Sequence, residues 1–399
     1  MTGLLRIEAR NFRSLKSVDV TLGPLNVLVG PNEAGKSNFL DLIQFLGDSA
    51  RYDLSTALDA RGGYDRVRFR GTEGGSGRVS INVSANVTRY SSATAPDEYG
   101  VSFSQRRLQS GRAILVRSEE FTFKRTQGRG RRIKVSGDRA QFIDVTSDDT
   151  EHPVERLPLR TDALGLTVLR TLPDDEGGAE IERFARLFTT FRVFNPNVDE
   201  ARRGSRSSER SIDSDASNLA SALVALSSDR ERLQDLVEDA RAMIPGFQDL
   251  EFVEVGGSAP SYVVKIAERG LRDSTFLADA SFGTVRLLAL LALLYDPEPP
   301  QVTCIEEIDH GLHPYLFDRL VERLREASRS TQLLIATHSP ALVNRLRPEE
   351  LLVVERAPDG STRMPAISRS VIRQKREAVG DRLELGELWF SGGLGGVPR

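Results

Sequence analysis

The sequence predicts an α/β fold, and three observations carry that prediction. The mostly apolar run Leu25-Asn26-Val27-Leu28-Val29 leads straight into a glycine-bounded loop and then a helix. Two further short runs, Gln301-Val302-Thr303-Cys304-Ile305 and Gln332-Leu333-Leu334-Ile335-Ala336, each end in polar, chemically capable residues. Strands that are apolar on both faces belong to a parallel sheet covered on both sides. The 399 residues are 39% hydrophobic and 28% charged, which leaves room for a large core and excludes global disorder.

Taken in order, Leu4 to Glu8 and Val18 to Leu22 read as strands before the buried strand at Leu25. Asn38 to Leu46 reads as a helix whose apolar residues cover most of its circumference, so it should be buried. From about 77 to 145 the pattern changes to short β-type runs broken by Gly, Ser and Asp, which predicts an antiparallel subdomain. Roughly 176 to 244 is helical, with Ile181 to Phe188 and Leu219 to Ile244 the clearest periodic segments. Between them, Arg202 to Ser211 is low in complexity and expected to be mobile. After Pro245 strand, helix and strand alternate to about 355. The expected organisation is an N-terminal lobe over 1–75, an antiparallel β subdomain over 76–150, a helical insertion over 151–245 with a mobile loop at 201–212, and a C-terminal lobe over 246–399.

Composition removes several function classes. Lys plus Arg is 54 against 57 Asp plus Glu, so there is no basic footprint of a dedicated nucleic-acid binder. The one cysteine, Cys304, excludes an internal disulfide framework and a zinc site built on several cysteines. The longest strongly apolar run, Leu287 to Tyr295, is too short to span a bilayer, and Met1-Thr2-Gly3 leads directly into strand-like sequence. A soluble, cytoplasmic protein without a membrane partner is expected. Lysine occurs only at 16, 36, 124, 134, 265 and 375, a bias toward arginine that fits either anion recognition or a GC-rich coding sequence.

The strongest signal is Gly30-Pro31-Asn32-Glu33-Ala34-Gly35-Lys36-Ser37, a G-x-x-x-x-G-K-[ST] phosphate-binding loop between a buried strand and a helix. Its glycines let backbone N–H groups wrap phosphates, and the helix start adds unpaired donors and a positive dipole. Asn32, Glu33, Ala34, Gly35, Lys36, Ser37 and Asn38 are therefore the ATP-binding candidates, with Lys36 on the β- and γ-phosphates and Ser37 on Mg²⁺. At the end of the second strand, Glu306 is a candidate Mg²⁺ holder and Glu307 a candidate for orienting the attacking water. The alternative for this pair is a solvated acidic loop end. His338 ends the third strand, where an imidazole can reach a γ-phosphate or the water; Ser339 and Pro340 open the next helix. Asp279 to Arg286 is a small polar turn opening an apolar helix, a second anion site in prospect but weak on its own.

The order of these elements resembles the ABC-type ATPase heads of the RecF and SMC kind. More narrowly, it is similar to small stand-alone predicted ATPases related to the OLD family and to the ATPase subunits of antiphage systems. The resemblance covers about 1–75 and 246–399, and the middle more loosely. Asn11-Phe12-Arg13-Ser14 matches that group's N-terminal pattern, where Arg13 and Ser14 would approach the nucleotide; a plain inter-strand turn is the alternative. Glu307 to Pro314 matches the carboxylate strand with its D-loop, represented by Asp309, and Leu385 to Gly395 matches the group's ending. The resemblance implies a bilobal P-loop head that pairs head to tail around two Mg-ATP, with Ser281, Gly283 and Thr284 of one copy meeting the γ-phosphate held by Lys36 of the other. Phe282 stands where transporter subunits carry a glycine, which argues against a transporter. The first carboxylate is Glu306 where Asp is commoner, and Gln44 lies too early for a Q-loop glutamine. About sixty residues follow His338 and Glu355 has no partner Asp-x-Asp, so no Toprim nuclease is expected. The helical insertion shows no sustained heptads, so no long coiled coil is expected either.

Two functions follow as expectations. The first is an ATP-hydrolysing enzyme, an ATP-dependent homodimer coupled to DNA repair or antiphage defence. The second is a nucleotide-gated binding module that restrains a nuclease or toxin partner with little turnover. DNA is a candidate partner through Arg125, Arg129, Arg131, Arg132 and Lys134 and through Arg202 to Arg210; the alternative is a solvated hairpin tip and a flexible loop.

Overall fold

A five-stranded, all-parallel sheet forms the centre of the computed structural model, in the order Leu351–Val353, Leu25–Val29, Gln332–Thr337, Val302–Ile305 and Arg192–Phe194. The structure describes residues 3–71, 77–111, 113–124, 130–144, 159–160, 163–173, 177–206, 211–256 and 261–395. The central strands are buried at every position, as their apolar composition requires. Side chains alternate between two cores. Val27, Val29, Ile305 and Ile335 face helices Leu219–Leu226, Arg230–Met243, Phe282–Leu294 and Phe317–Ala327. Leu28, Cys304, Leu334 and Ala336 face the other way, onto helix Lys36–Arg51.

That helix is packed between the parallel sheet and a seven-stranded antiparallel sheet. The latter runs in the order Leu15–Thr21, Gly3–Phe12, Val79–Asn86, Asp97–Arg107, Ala113–Phe123, Arg131–Ser136 and Arg139–Asp144. Phe45 meets Phe12 and Phe103 of the antiparallel sheet at centroid distances of 5.4 and 5.6 Å. Phe39, Leu40, Leu42, Ile43 and Leu46 are buried with it, so the helix is enclosed around its circumference as its sequence predicts. Cys304 is fully buried, and burial with the nearby Glu306 pushes its thiol up to about 12. Among the described residues the longest helix is Lys36–Arg51 at 16 residues, and none is long and apolar enough to cross a membrane.

Several boundaries fall differently from the sequence expectation. The division at 75 and 76 cuts one sheet, because Gly3–Phe12 pairs with both Leu15–Thr21 and Val79–Asn86. The described part of 151–245 holds helices but also contributes Arg192–Phe194 to the edge of the parallel sheet beside the carboxylate strand; three residues carry no readable period. Leu219 to Ile244 is two helices, the second capped by Asp229. Residues after Pro245 first form an antiparallel sheet, Phe247–Val255, Ser261–Glu268 and Thr275–Phe276. Part of the loop expected to be mobile is anchored: Ser205 exchanges backbone hydrogen bonds with Tyr262, and its buried hydroxyl lies 2.8 Å from that of Ser221. Residues 207–210 of that loop lie outside the described residues.

One side chain joins the two sheets. The Gln332 amide accepts from the Leu4 N–H at 2.9 Å and donates to the Leu4 and Gly23 carbonyls at 2.8 Å each. Gln332→Ala strands buried backbone groups, so stability should fall by about 2–3 kcal/mol. Urea unfolding of both proteins checks this, and a difference under about 0.5 kcal/mol, the range of an ordinary surface change, would contradict it.

Candidate functional site

The strand Leu25–Val29 delivers the phosphate loop to the edge of the parallel sheet, and close contacts there explain its glycines. A Cβ on Gly30 would lie 2.2 Å from the Val354 carbonyl oxygen. Gly35 has φ +109°, and a Cβ there would lie 2.0 Å from Thr362 Oγ1 and 2.9 Å from Ser14 Oγ. The next residue opens the helix, and Gly35 has no side chain with which to cap its first N–H groups, so these remain available to an anion. Lys36 is folded back: its Nζ donates to the Gly30 and Pro31 carbonyls at 2.8 and 2.9 Å and lies 3.5 Å from His338 Nδ1.

Three strand ends converge on one cavity of about 380 Å³. It is lined by Asn32, Glu33, Gly35, Lys36, Ser37 and Asn38 from the loop, Glu306 and Glu307 from the carboxylate strand, and His338 and Arg356. Burial lowers the Lys36 ammonium to about 8, although Glu307 and Asp309 act in the opposite direction. Burial also raises the Glu306 carboxyl, reinforced by the negative fields of Glu307 and Asp41. His338 is held below its usual value by burial and by Lys36. Glu307 is exposed, has φ +46°, and its carboxylate lies 3.8 Å from His310 Nδ1. An acid crowded by other acids, next to a serine hydroxyl, is an oxygen donor set that suits a hard divalent cation.

Arg13 and Ser14 lie in a neighbouring cavity of about 690 Å³, which also includes Asn38, Arg66, Arg70 and Arg356. The Arg13 guanidinium is paired with Asp41 of helix Lys36–Arg51 at 2.8 Å. Ser14 Oγ accepts from Asn38 Nδ2 at 2.6 Å and lies 2.7 Å from Thr362 Oγ1. Ala34 is buried and contributes its carbonyl, which accepts from Thr362 Oγ1 at 2.8 Å. Thr362 and Arg356, which donates to the Glu33 carbonyl at 3.3 Å, are site residues that sequence reasoning missed. Pro358-Asp359-Gly360 does signal the hairpin that carries them, Glu355–Arg356 pairing with Thr362–Arg363. No local signal shows that this hairpin lies against the loop.

Ser281, Gly283 and Thr284 line a separate cavity of about 300 Å³ with Gly311, Leu312 and His313. Ser281 caps helix Phe282–Leu294 by accepting from the Thr284 N–H at 3.2 Å. Asp309 accepts from Thr337 Oγ1 at 2.5 Å, tying the loop after the carboxylates to the strand that bears His338. Three members of the basic clusters are engaged: Arg131 is buried, Arg132 pairs with Glu120 at 3.2 Å, and Arg202 donates to the Ala280 carbonyl at 3.0 Å. Arg125, Arg129 and Arg210 lie outside the described residues.

Residues 25–344 match a family described as "AAA domain, putative AbiEii toxin, Type IV TA system". An OLD nuclease of Thermus scotoductus is 50% identical over 46 residues, which is 11% of this chain and 9% of that protein. The match therefore spans under a tenth of that relative. An Smc head bound to the C-winged helix domain of ScpA superposes with a TM-score of 0.55 at 14% identity, over 91% of this chain and 97% of the other. A second Smc head from Pyrococcus furiosus, with an extended coiled coil and bound to the C-terminal domain of ScpA, gives 0.53 at 12% identity over 95% and 100%. At these identities the likeness is one of fold: an SMC-head-like P-loop architecture.

The position of Lys36 gives a pH test. Its folded value of about 8 lies below the ordinary 10.5, so between these values the unfolded chain holds a proton that the folded chain has released. Stability of the nucleotide-free protein should therefore gain from this group as pH rises through that window, while below 8 the full penalty of burying the charge is present. Lys36→Met removes the titration, so its stability relative to wild type should be most favourable below pH 8 and decline toward pH 10.5. Urea unfolding of both proteins from pH 7 to 10 would measure this, and a constant difference would refute the assignment.

Proposed function

We propose that this chain, which belongs to the family described as "AAA domain, putative AbiEii toxin, Type IV TA system", hydrolyses ATP in the cavity around Lys36. The observation that carries the proposal is the convergence of Lys36, Ser37, Glu306, Glu307 and His338 on one cavity. Lys36 would exchange the Gly30 and Pro31 carbonyls for the β- and γ-phosphates, with the backbone N–H groups at the helix start beside it. Ser37 and Glu306 would hold Mg²⁺, which when bound neutralises phosphate charge. Glu307 would accept a hydrogen bond from the attacking water, directing its oxygen at the γ-phosphorus as the bond to the β,γ-bridging oxygen breaks. His338, kept neutral by its surroundings, would hydrogen-bond a γ-phosphate oxygen. The adjoining cavity at Arg13 and Ser14 would take the nucleoside.

The signature residues Ser281, Gly283 and Thr284 lie in a different cavity of the same chain, which favours their use on a second copy. Head-to-tail pairing around two nucleotides would place them, with Asp309 nearby, over the partner's γ-phosphate. The stretch shared with an OLD nuclease favours work near nucleic acid, in DNA repair or antiphage defence. A second reading, a nucleotide-gated module that restrains a nuclease or toxin partner, is favoured by the exposure of Glu307 and its lean toward His310. Turnover stimulated by DNA supports the first reading; slow turnover indifferent to DNA, with a stable co-purifying protein, supports the second.

Lys36→Ala should abolish ATP binding. Glu307→Gln should retain binding, lower hydrolysis by about 100-fold or more, and accumulate paired copies. Ser281→Arg should bind ATP without pairing. Nucleotide binding, phosphate release and light scattering with and without ATP test all three, and wild-type turnover by Glu307→Gln would overturn the catalytic assignment.

A further inference from the structure

We propose that Arg286 is a positioning residue for Glu307, linking the first turns of the signature helix to the backbone of the carboxylate segment. The proposal rests on the role assigned to Glu307 above. Helix Phe282–Leu294 is otherwise apolar from Val285 onward, yet Arg286 stands in it only 2% exposed. Its Nη2 donates to the Glu307 carbonyl at 2.8 Å and lies 3.4 Å from the Glu306 carbonyl. A charged side chain is buried at such a place only when specific acceptors meet it. The acceptors here belong to the two carboxylate residues. Glu307 has φ +46°, a left-handed conformation that a non-glycine residue keeps only when its surroundings impose it. Arg286 supplies that hold, and the His310 N–H adds to it by donating to the same Glu307 carbonyl at 2.9 Å.

A second contact runs from the same helix. The Phe282 ring lies 5.4 Å from that of His310, whose Nδ1 is 3.8 Å from the Glu307 carboxylate. Gly311 has φ +71° and allows this tilted ring contact, because a Cβ there would lie 2.5 Å from the Phe282 ring. The helix thus reaches Glu307 from the backbone side through Arg286 and from the side-chain side through Phe282 and His310. The turn that carries Ser281 is thereby connected to Glu307 within one chain.

The test compares full-length wild type with Arg286→Met and Arg286→Lys. Arg286→Met should keep the affinity for a fluorescent ATP analogue within about twofold, lower kcat about tenfold or more with KM unchanged, and speed hydrogen exchange of the His310 amide about tenfold. Arg286→Lys should recover part of both losses. Wild-type exchange at His310 in Arg286→Met would overturn the proposal whether or not the chain hydrolyses ATP. Faster exchange in a chain whose wild type shows no turnover would fail the enzymatic reading and leave the backbone hold standing. If Arg286→Met does not fold, Arg286→Gln, neutral and two bonds shorter than the arginine, takes its place, and wild-type exchange at His310 in it overturns the proposal.

Discussion

The parallel register of three strands governs everything at the candidate site. Leu25–Val29, Gln332–Thr337 and Val302–Ile305 lie side by side and run in one direction, so the phosphate loop, His338 and the two carboxylates leave the sheet at the same edge. That edge is where open α/β sheets gather ligand chemistry. The loop could bind an anion without its neighbours, but only adjacent parallel strands bring a lysine, a serine, two glutamates and an imidazole from positions some three hundred residues apart into one cavity. Two packed cores, one on each face, keep those strands in register.

Closure of the site depends on contacts between the two ends of the described chain. Ser14 and Thr362 meet beside Gly35, and Gln332 grips Leu4 and Gly23. These contacts make one body of segments that the sequence presents as separate lobes. They also explain why Gly30 and Gly35 tolerate no side chain: other backbone and hydroxyl groups already occupy the space. The seven-stranded sheet has a supporting role, enclosing the helix that begins at Lys36 so that its N-terminus stays aimed at the cavity.

The fold class and the principal site residues were legible because their signals are local. A loop bounded by glycines between an apolar strand and a helix announces itself within about twenty residues, and so do two glutamates at a strand end. The structure brings Lys36, Ser37, Glu306, Glu307 and His338 together as those signals imply. What remained hidden is long-range or very short. Thr362 bears on Gly35 only through tertiary contact, Arg192–Phe194 is too brief to show a period, and Arg286 reads as the end of a polar turn until its carbonyl partners are seen. Arg13 matched a pattern, and its pairing with Asp41 on the helix that begins at Lys36 is again a tertiary contact without a local signal.

The solitary thiol has a practical consequence. Cys304 lies inside the carboxylate strand, fully enclosed and with its thiolate strongly disfavoured near neutral pH. A spin label or fluorophore aimed at cysteine would find nothing to react with on the native chain. Any cysteine engineered onto the surface becomes the sole handle, so distances between two copies, or between the signature turn and the phosphate loop, can be followed without first removing a native residue.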